Sequence, residues 1–572
     1  RQRIEKLHRR KGPPGQVISP ELARELARLS FDGGRQIGLL LGRDGGVEMI
    51  LVGGPRSLYI PDLPKSRGGR WRLRGLRLVH THLQGESLTQ DDLMDLVFLR
   101  LDCVAAVRVD GNGGATVLEL AHILPGTPSN GSGQHGWEIL PPIPCHNPDL
   151  DFVELVRSLE EELERNRQAL PAAAREDRAI LVSVTKEDRE TAQSSMDELL
   201  ELAYAGGIAA VDTIIQRQRE VNRKYLIGKG KLSEIVLRAL QCGVDLLIFD
   251  QELNPSQVRS LTDTTELRVI DRTQLILDIF AQRAQSREGK IQVEMAQLKY
   301  LLPRLGMKDD ALSRLTGGIG ARGPGETTLE INRRRTKDRI AQLENELKMV
   351  RKNRAQRRSR RVRKDVPVIS IVGYTNAGKS TLLNTLTHSG VTVENKLFAT
   401  LDPTSRRLRF PRDLEVIITD TVGFIRDLPQ DLMDAFAATL EELDDADLLL
   451  HVVDVSNPRF EDQMAAVERI LEQLGLDRKP VLRVFNKRDR VEPEWLEAQV
   501  RRYGAVAISA LVTETLRPLI LAMEREVEVL MSLEDQGKTG KEAGVETGED
   551  SSESLEIVIS WDSPLLPPAG SA

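Results

Sequence analysis

The chain has 572 residues, with 80 Lys and Arg against 86 Asp and Glu, a net charge of −6 and a pI near 6.0; this predicts three or four domains and excludes a chain that binds nucleic acid through overall charge. Three cysteines, Cys103, Cys145 and Cys242, lie too far apart for a disulfide framework or a cysteine metal site, which suits a reducing cytoplasm. No apolar run reaches membrane-spanning length and no signal peptide is seen, although the chain opens at Arg1 without Met, which leaves room for an upstream piece; the expectation is a cytoplasmic monomer, with peripheral membrane association as the alternative.

Residues 1–130 are read as an N-terminal α+β extension. Gln36–Gly42 and Val47–Val52 are short apolar runs, followed by Leu76–His82, which ends in His80 and His82, and by Thr89-Gln-Asp-Asp92. His80 and His82 alternate on one strand, so their side chains share a face, and Asp92 can add a third ligand. This order resembles the JAB/MPN fold. In active members, the resemblance implies zinc held by the His-x-His pair and a downstream Asp, with a water activated by an upstream Glu. The chain departs from that pattern twice. Arg35-Gln36 occupies the place of the Glu, and the His-to-Asp spacing fits only if one residue is dropped. The extension is therefore expected to keep the fold and lack peptidase activity; a JAB-type zinc metallopeptidase is carried as an alternative function of another class.

Residues 131–177 are read as a linker and a helix. Residues 125–150 are rich in Pro, Gly, Ser and Asn, as linkers are, and 150–167 is a charged amphipathic helix. Residues 178–271 alternate strand and helix, with strands at 179–184 and 244–249 and a helix at 194–203, and predict a small α/β domain. Between them, Leu226–Leu232 carries Lys229 and Lys231 among glycines but lacks phosphate-loop spacing, so a surface turn is the expectation. Residues 272–364 predict an antiparallel helical hairpin: one long helix over 273–304 and a second over about 328–356. The glycine-rich connection 315–326 is read as a tip suited to close backbone approach to RNA. The basic run 351–364 is read as a phosphate-binding linker. With aromatics at 4%, contact with RNA through stacked rings is not expected.

Residues 365–530 hold the chemistry. Val368–Val372 is a β-branched apolar run, and after it come Gly373, Tyr374, Thr375, Asn376, Ala377, Gly378, Lys379 and Ser380, then Thr381 at the start of a helical stretch. Strand, glycine-bounded loop and helix together aim backbone N–H groups at phosphate oxygens. Lys379 would reach the β- and γ-phosphates and Ser380 would hold Mg²⁺. A second strand ends in Asp420, a water-mediated Mg²⁺ ligand, followed by Thr421, Val422 and Gly423, whose N–H can meet a γ-phosphate. Thr400 is the candidate second protein ligand to Mg²⁺, with Thr392 and Thr404 as alternatives. A further strand leads into Asn486, Lys487 and Asp489. A carboxylate only accepts hydrogen bonds, and guanine offers two donors on one edge, so Asp489 selects guanine. Ser509 and Ala510 would approach the base from the far side. The order predicts a P-loop GTPase on a doubly wound parallel sheet. Phe424 stands where many small GTPases place a Gln that orients the attacking water, so slow hydrolysis by the isolated chain is expected.

Residues 531–572 are read as an acidic, largely disordered tail, in which Leu555–Trp561 is either an added strand or a docking segment. The set formed by residues 317–330, the phosphate loop 373–380, Phe398–Asp402 and Asp420–Phe424 resembles the HflX GTPases over about residues 178–525. The resemblance implies binding to the large ribosomal subunit and its ribosomal RNA, with the glycine-rich tip directed toward the peptidyl-transferase region. It implies ribosome-stimulated hydrolysis of GTP to GDP and a role in ribosome splitting, rescue or translation quality control. It also raises K⁺ binding near Asn376, and ATP binding by the 178–271 domain, for which Lys229 and Lys231 are the candidates. A GTPase of ribosome assembly or RNA modification is the alternative within the same class.

Overall fold

The computed structural model describes residues 2–61, 63, 72–125, 136–146, 150–168, 177–218, 222–305, 328–362, 366–387, 398, 404–426 and 443–542. Thr400, Thr392, the glycine-rich tip and the 555–561 segment lie outside the described residues.

The N-terminal extension contains α1 (Gln2–His8), α2 (Pro20–Gly33), β1 (Ile37–Gly42), β2 (Val47–Val52), β3 (Leu76–His82), α3 (Gln90–Phe98), β4 (Cys103–Val109), β5 (Ala115–Ile123), β6 (Trp137–Ile139), β7 (Ile143–Pro144) and α4 (Phe152–Gln168). Its sheet runs β2-β1-β3-β4-β5-β6, with β7 also on β5; only β3 and β4 pair in parallel. Helix α2 starts with Ser19, whose side chain accepts from the N–H of Leu22, and Pro20, and it ends at Gly34 in the left-handed region. Residues 137–144, read as linker, instead add two strands to this sheet. Their Pro and Gly neighbours hid strands only two and three residues long. Helix α4 likewise packs Phe152 and Val156 into the extension's core.

Domain two follows as β8 (Arg178–Thr185), α5 (Arg189–Ala205), β9 (Ala209–Arg217), α6 (Lys229–Cys242), β10 (Leu246–Phe249), α7 (Pro255–Thr265) and β11 (Arg268–Asp271). The all-parallel sheet has the order β11-β10-β8-β9. The two central strands, β8 and β10, are mostly apolar because both of their faces are covered, whereas the edge strand β9 keeps Asp212 and Gln216 only half-buried. Ala179 and Leu181 of β8 face α5 and the C-terminal unit, whereas Ile180, Val182 and Val184 face α6 and α7.

Two helices, α8 (Arg272–Arg283) and α9 (Arg287–Leu305), replace the single helix expected over 273–304. Ala284 turns to extended backbone (φ −62°, ψ 113°), and Ser286 restarts the helix by accepting the N–H of Gly289 at 2.9 Å. The apolar spacing on either side concealed this break. Helix α9 pairs with α10 (Thr328–Val362) through Ile291, Met295, Leu343 and Leu347. Arg339 forks onto Glu294 at 2.8 and 3.0 Å across that pair. Asp271 ties the C-terminal end of α9 to domain two, accepting from Tyr300 Oη at 2.6 Å and Arg304 Nη2 at 3.2 Å.

The C-terminal unit comprises β12 (Val368–Gly373), α11 (Lys379–Thr387), β13 (Thr404–Arg409), β14 (Glu415–Asp420), β15 (Leu448–Asp454), α12 (Phe460–Gln473), β16 (Val481–Asn486), α13 (Pro493–Tyr503), β17 (Val506–Ala507) and α14 (Arg517–Glu542). The sheet order is β13-β14-β12-β15-β16-β17, parallel except for β13. Helix α14 runs on to Glu542, into the segment expected to be a disordered tail.

The extension docks on α6. Leu93, Leu96 and Val97 of α3 share one apolar cluster with Val236, Leu237 and Leu240 of α6. Arg74 and Arg100 both pair with Glu266 of domain two. Leu96 is fully buried in that seam, so Leu96→Ala should destabilise the extension by about 2–5 kcal/mol. Hydrogen exchange of β3–β5 in urea reads this directly; an unchanged midpoint would remove Leu96 from the core.

Candidate functional site

The loop from Gly373 to Gly378 lies at the C-terminal end of β12, in the middle of the sheet between β14 and β15. Gly373 has φ +151°, and a Cβ there would fall 2.2 Å from the carbonyl oxygen of Val452; no other residue fits so close to the neighbouring strand. Asn376 takes the left-handed region (φ 61°), with its side chain exposed. Lys379 is the first residue of α11, and its Nζ donates to the carbonyls of Gly373 (3.1 Å) and Tyr374 (2.8 Å). Burial lowers the Lys379 ammonium to about 8, against the nearby Asp420.

Ser380 and Asp420 come together: Ser380 Oγ donates to Asp420 Oδ2 at 2.7 Å. A hydroxyl and a carboxylate at a loop that gathers phosphate are the donor set a Mg²⁺ ion takes. Thr404 opens β13, which runs antiparallel to β14 with Thr404 opposite Asp420. Thr421 Oγ donates to the carbonyl of Ile371 at 2.6 Å, and Val422 is buried. Gly423 faces Lys379: a Cβ at 423 would lie 3.0 Å from Nζ and 2.9 Å from Thr375 Cγ2. The backbone here is zipped to the phosphate loop, Thr375 N–H to Phe424 O at 2.7 Å and Phe424 N–H to Gly373 O at 3.1 Å.

On the base side, Asn486 is a strut between two loops. Its Nδ2 donates to Ala377 O at 2.8 Å, and its Oδ1 accepts from Ala510 N–H at 2.9 Å. Lys487 sits in the left-handed region and pairs with Asp454 at 2.6 Å. Asp489 is exposed, and a hydrogen bond from Ser509 holds its carboxyl below the usual range. Thr381 lies in the first turn of α11.

Sequence reasoning missed the partners of Tyr374 and Phe424. Tyr374 Oη donates to Glu198 Oε1 of α5 at 2.6 Å and accepts from Arg426 N–H at 2.8 Å. Burial and Glu198 push the Tyr374 phenol up, which keeps it a donor. Arg272 closes the group, bonding Glu198 and Asp250 at 3.1 Å each and the carbonyl of Arg426 at 3.2 Å. Phe424 is 3% exposed and lies in the same apolar cluster as Ile276, Ile279 and Phe280 of α8. Phe398 meets Phe280 edge-on at 4.6 Å. Glu198 reads in sequence as one more acid on an amphipathic helix, and nothing local marks it.

A second cluster lies in the extension. His80 Nε2 and His82 Nε2 are 2.9 Å apart, and Asp92 approaches them at 3.1 and 3.5 Å. Among the described residues this is the one His/Cys/Asp/Glu group placed to hold a metal ion. Tetrahedral zinc with bonds of about 2.0–2.1 Å separates its ligand atoms by about 3.3–3.4 Å, so the three residues fit. Lys231 pairs with Glu234 at 2.7 Å, and Lys229 is near enough for its charge to act on Asp95 of the extension.

Three family models match in sequence: "GTP-binding GTPase N-terminal" over residues 193–281, "GTP-binding GTPase Middle Region" over 283–361 and "50S ribosome-binding GTPase" over 368–487. The GTPase HflX of Caldanaerobacter subterraneus is 50% identical over 318 residues, 55% of this chain and 73% of that protein. The GTPase HflX of Escherichia coli is 47% identical over 305 residues, 53% of this chain and 72% of that protein. A GTP-binding protein from Sulfolobus solfataricus, solved with GDP, is 24% identical, covers 61% of this chain and 99% of its own, and has a TM-score of 0.36.

Asn486→Ala should strand a buried carbonyl and a buried N–H at once, each costing about 1–3 kcal/mol. Titration with a fluorescent guanine nucleotide should show binding weakened about 10- to 100-fold; unaltered affinity would refute the strut.

Proposed function

This chain belongs to the HflX family of GTPases and is a GTP hydrolase; we propose that it works on the large ribosomal subunit and its RNA, as a monomer, in splitting or rescuing ribosomes. The observation that carries this reading is the placement of Phe424. A Gln at this position would orient the attacking water. Phe424 has no hydrogen-bonding group and is packed against domain two. Completion of the catalytic site by a macromolecular partner follows from that chemistry. The family description over residues 368–487 reads "50S ribosome-binding GTPase", and we take the ribosome to be that partner.

In this reading Lys379 neutralises the β- and γ-phosphates, and the N–H of Gly423 donates to the γ-phosphate. Ser380, Asp420 and Thr400 hold Mg²⁺, which when bound offsets charge on the phosphate oxygens. Loop residues Gly373 to Gly378 present backbone to the phosphates, and Thr381, Thr421 and Val422 shape the site around them. Asn376 is the K⁺ candidate. Asp489 pairs with the guanine donors, with Lys487, Ser509 and Ala510 around the base. The hairpin of α9 and α10 would carry the glycine-rich tip and the basic run to RNA. ATP binding at Lys229 and Lys231 has less support, since both lysines already have acidic neighbours.

Co-sedimentation with purified subunits, using a non-hydrolysable GTP analogue, should place the protein with the large subunit, and ribosomes should raise its GTP turnover. Failure on both counts would sink the proposal. Asp489→Asn should lower GTP affinity about 10- to 100-fold and shift preference toward xanthine nucleotides; GTP binding as tight as before would refute its assigned role.

A further inference from the structure

The proposed function leaves one sequence motif idle: the apolar run Leu555–Trp561, which lies outside the described residues. We propose that this run pairs with the outer edge of β13 of the same chain, adding a strand to the six-stranded sheet of the GTPase unit.

The receiving edge is open and basic. Strand β13 ends the sheet on its side, and among the described residues only β14 pairs with it. Every second N–H and C=O of such a strand points outward, a ready template for another strand. Its six residues carry three exposed arginines, Arg406, Arg407 and Arg409, and no acid. Arg407 and Arg409 meet exposed carboxylates, Glu415 at 3.9 Å and Asp413 at 3.2 Å, contacts of small worth in water. Leu408 is half-buried at the margin of the core that α14 closes.

The run fits that edge in pattern, charge and reach. Leu555, Ile557, Ile559 and Trp561 alternate with Glu556, Val558 and Ser560, the period of a strand with one apolar face. With that face on the side of Leu408, Glu556 comes to the side of Arg407 and Arg409. Glu553, Glu556 and Asp562 place three acids and no base on residues 553–562, against three bases and no acid on β13. Helix α14 brings the chain to the right place. Glu524 accepts from the N–H of Arg412 at 2.9 Å, and Glu528 from Arg412 Nη1 at 3.1 Å, in the turn between β13 and β14. From Glu528 the helix climbs about 21 Å to Glu542. The twelve residues 543–554 span up to about 40 Å, enough to return to that turn. Other edges fit less well. On the far side of the same sheet β17 is two residues long, and on β9 of domain two the charges of Asp212 and Arg217 cancel. Thr404 of β13 stands opposite Asp420, so the added strand braces the sheet edge beside the nucleotide site.

The test is hydrogen exchange on the full chain at low salt, resolved to the outward amides of β13. They should exchange roughly tenfold or more slowly in the wild type than in Ile557→Lys/Ile559→Lys, whose substitutions lie outside every described core. Arg407→Glu/Arg409→Glu should speed them as well, and adding Glu556→Lys to that pair should restore slow exchange. Amides of β12, in the middle of the sheet, should exchange equally in all four proteins. Light scattering should give the mass of one chain, and the slowing should survive a roughly tenfold dilution. Equal exchange in the wild type and in Ile557→Lys/Ile559→Lys overturns the proposal. Slowing that fades on dilution also overturns it and assigns the edge to a second copy. So does slowing that appears only when ribosomes are added, or an effect of the lysine pair confined to β9.

Discussion

The apolar seam between domain two and the loops of the GTPase unit is the constraint on which the rest depends. Phe424, Phe398, Tyr374, Val422 and Ile425 enter a core built by α5 and α8. Burying each large side chain contributes about 1.5–3 kcal/mol, enough to hold loops that would otherwise lie on a surface. The polar members of the seam cannot be there unpaired. Arg272, 7% exposed, would be ruinous alone, and it is matched by Glu198, Asp250 and a carbonyl. Tyr374 then has a fixed acceptor in Glu198, and the N–H of Arg426 a fixed acceptor in Tyr374. The position of Gly423 beside Lys379 is thus set from both sides, by the phosphate loop and by another domain.

The same logic extends to the hairpin. Asp271, at the end of β11, is the residue before α8, and it accepts from Tyr300 and Arg304 of α9. Arg304 also lies over the Tyr300 ring at 3.4 Å, so the end of α9 that leads into the glycine-rich connection is locked in direction as well as place. Helix α8 stands between the two contacts, with Phe280 against Phe398 at one side and the Asp271 hub at its N-terminus. An unbroken 273–304 helix would have carried α9 straight out along α8; the break at 284–286 lets α9 fold back to that hub.

What was legible in the sequence follows from range. The phosphate loop, the Ser380–Asp420 pair and the Asn486–Asp489 run announce themselves because each is a short segment with chemistry that tolerates few residue types. The sheet around them followed from β-branched runs. Tyr374 and Glu198 are 176 positions apart, and neither has a local signature, so their bond was illegible. The chemistry of Phe424 could be read, since it cannot orient water, but its destination could not. The strands at 137–144 failed for another reason: they are pairing partners of β5 and owe their form to that edge rather than to their own composition.

Domain two explains why one small sheet can serve both neighbours. Its strands alternate, and the alternation divides the protein. Leu246 and Ile248 of β10 face the seam with the GTPase unit; Leu247 and Phe249 face α6 and α7. Helix α6 then offers Val236, Leu237 and Leu240, on its far side, to the extension. A slip of one residue in β8 or β10 would exchange these faces and break both contacts together. The nearly continuous apolar character of β8 and β10, strands of only eight and four residues, is what a wall between two partners demands. It places the His80–His82–Asp92 cluster and the phosphate loop on opposite sides of a single four-stranded sheet, each held by the face it borders.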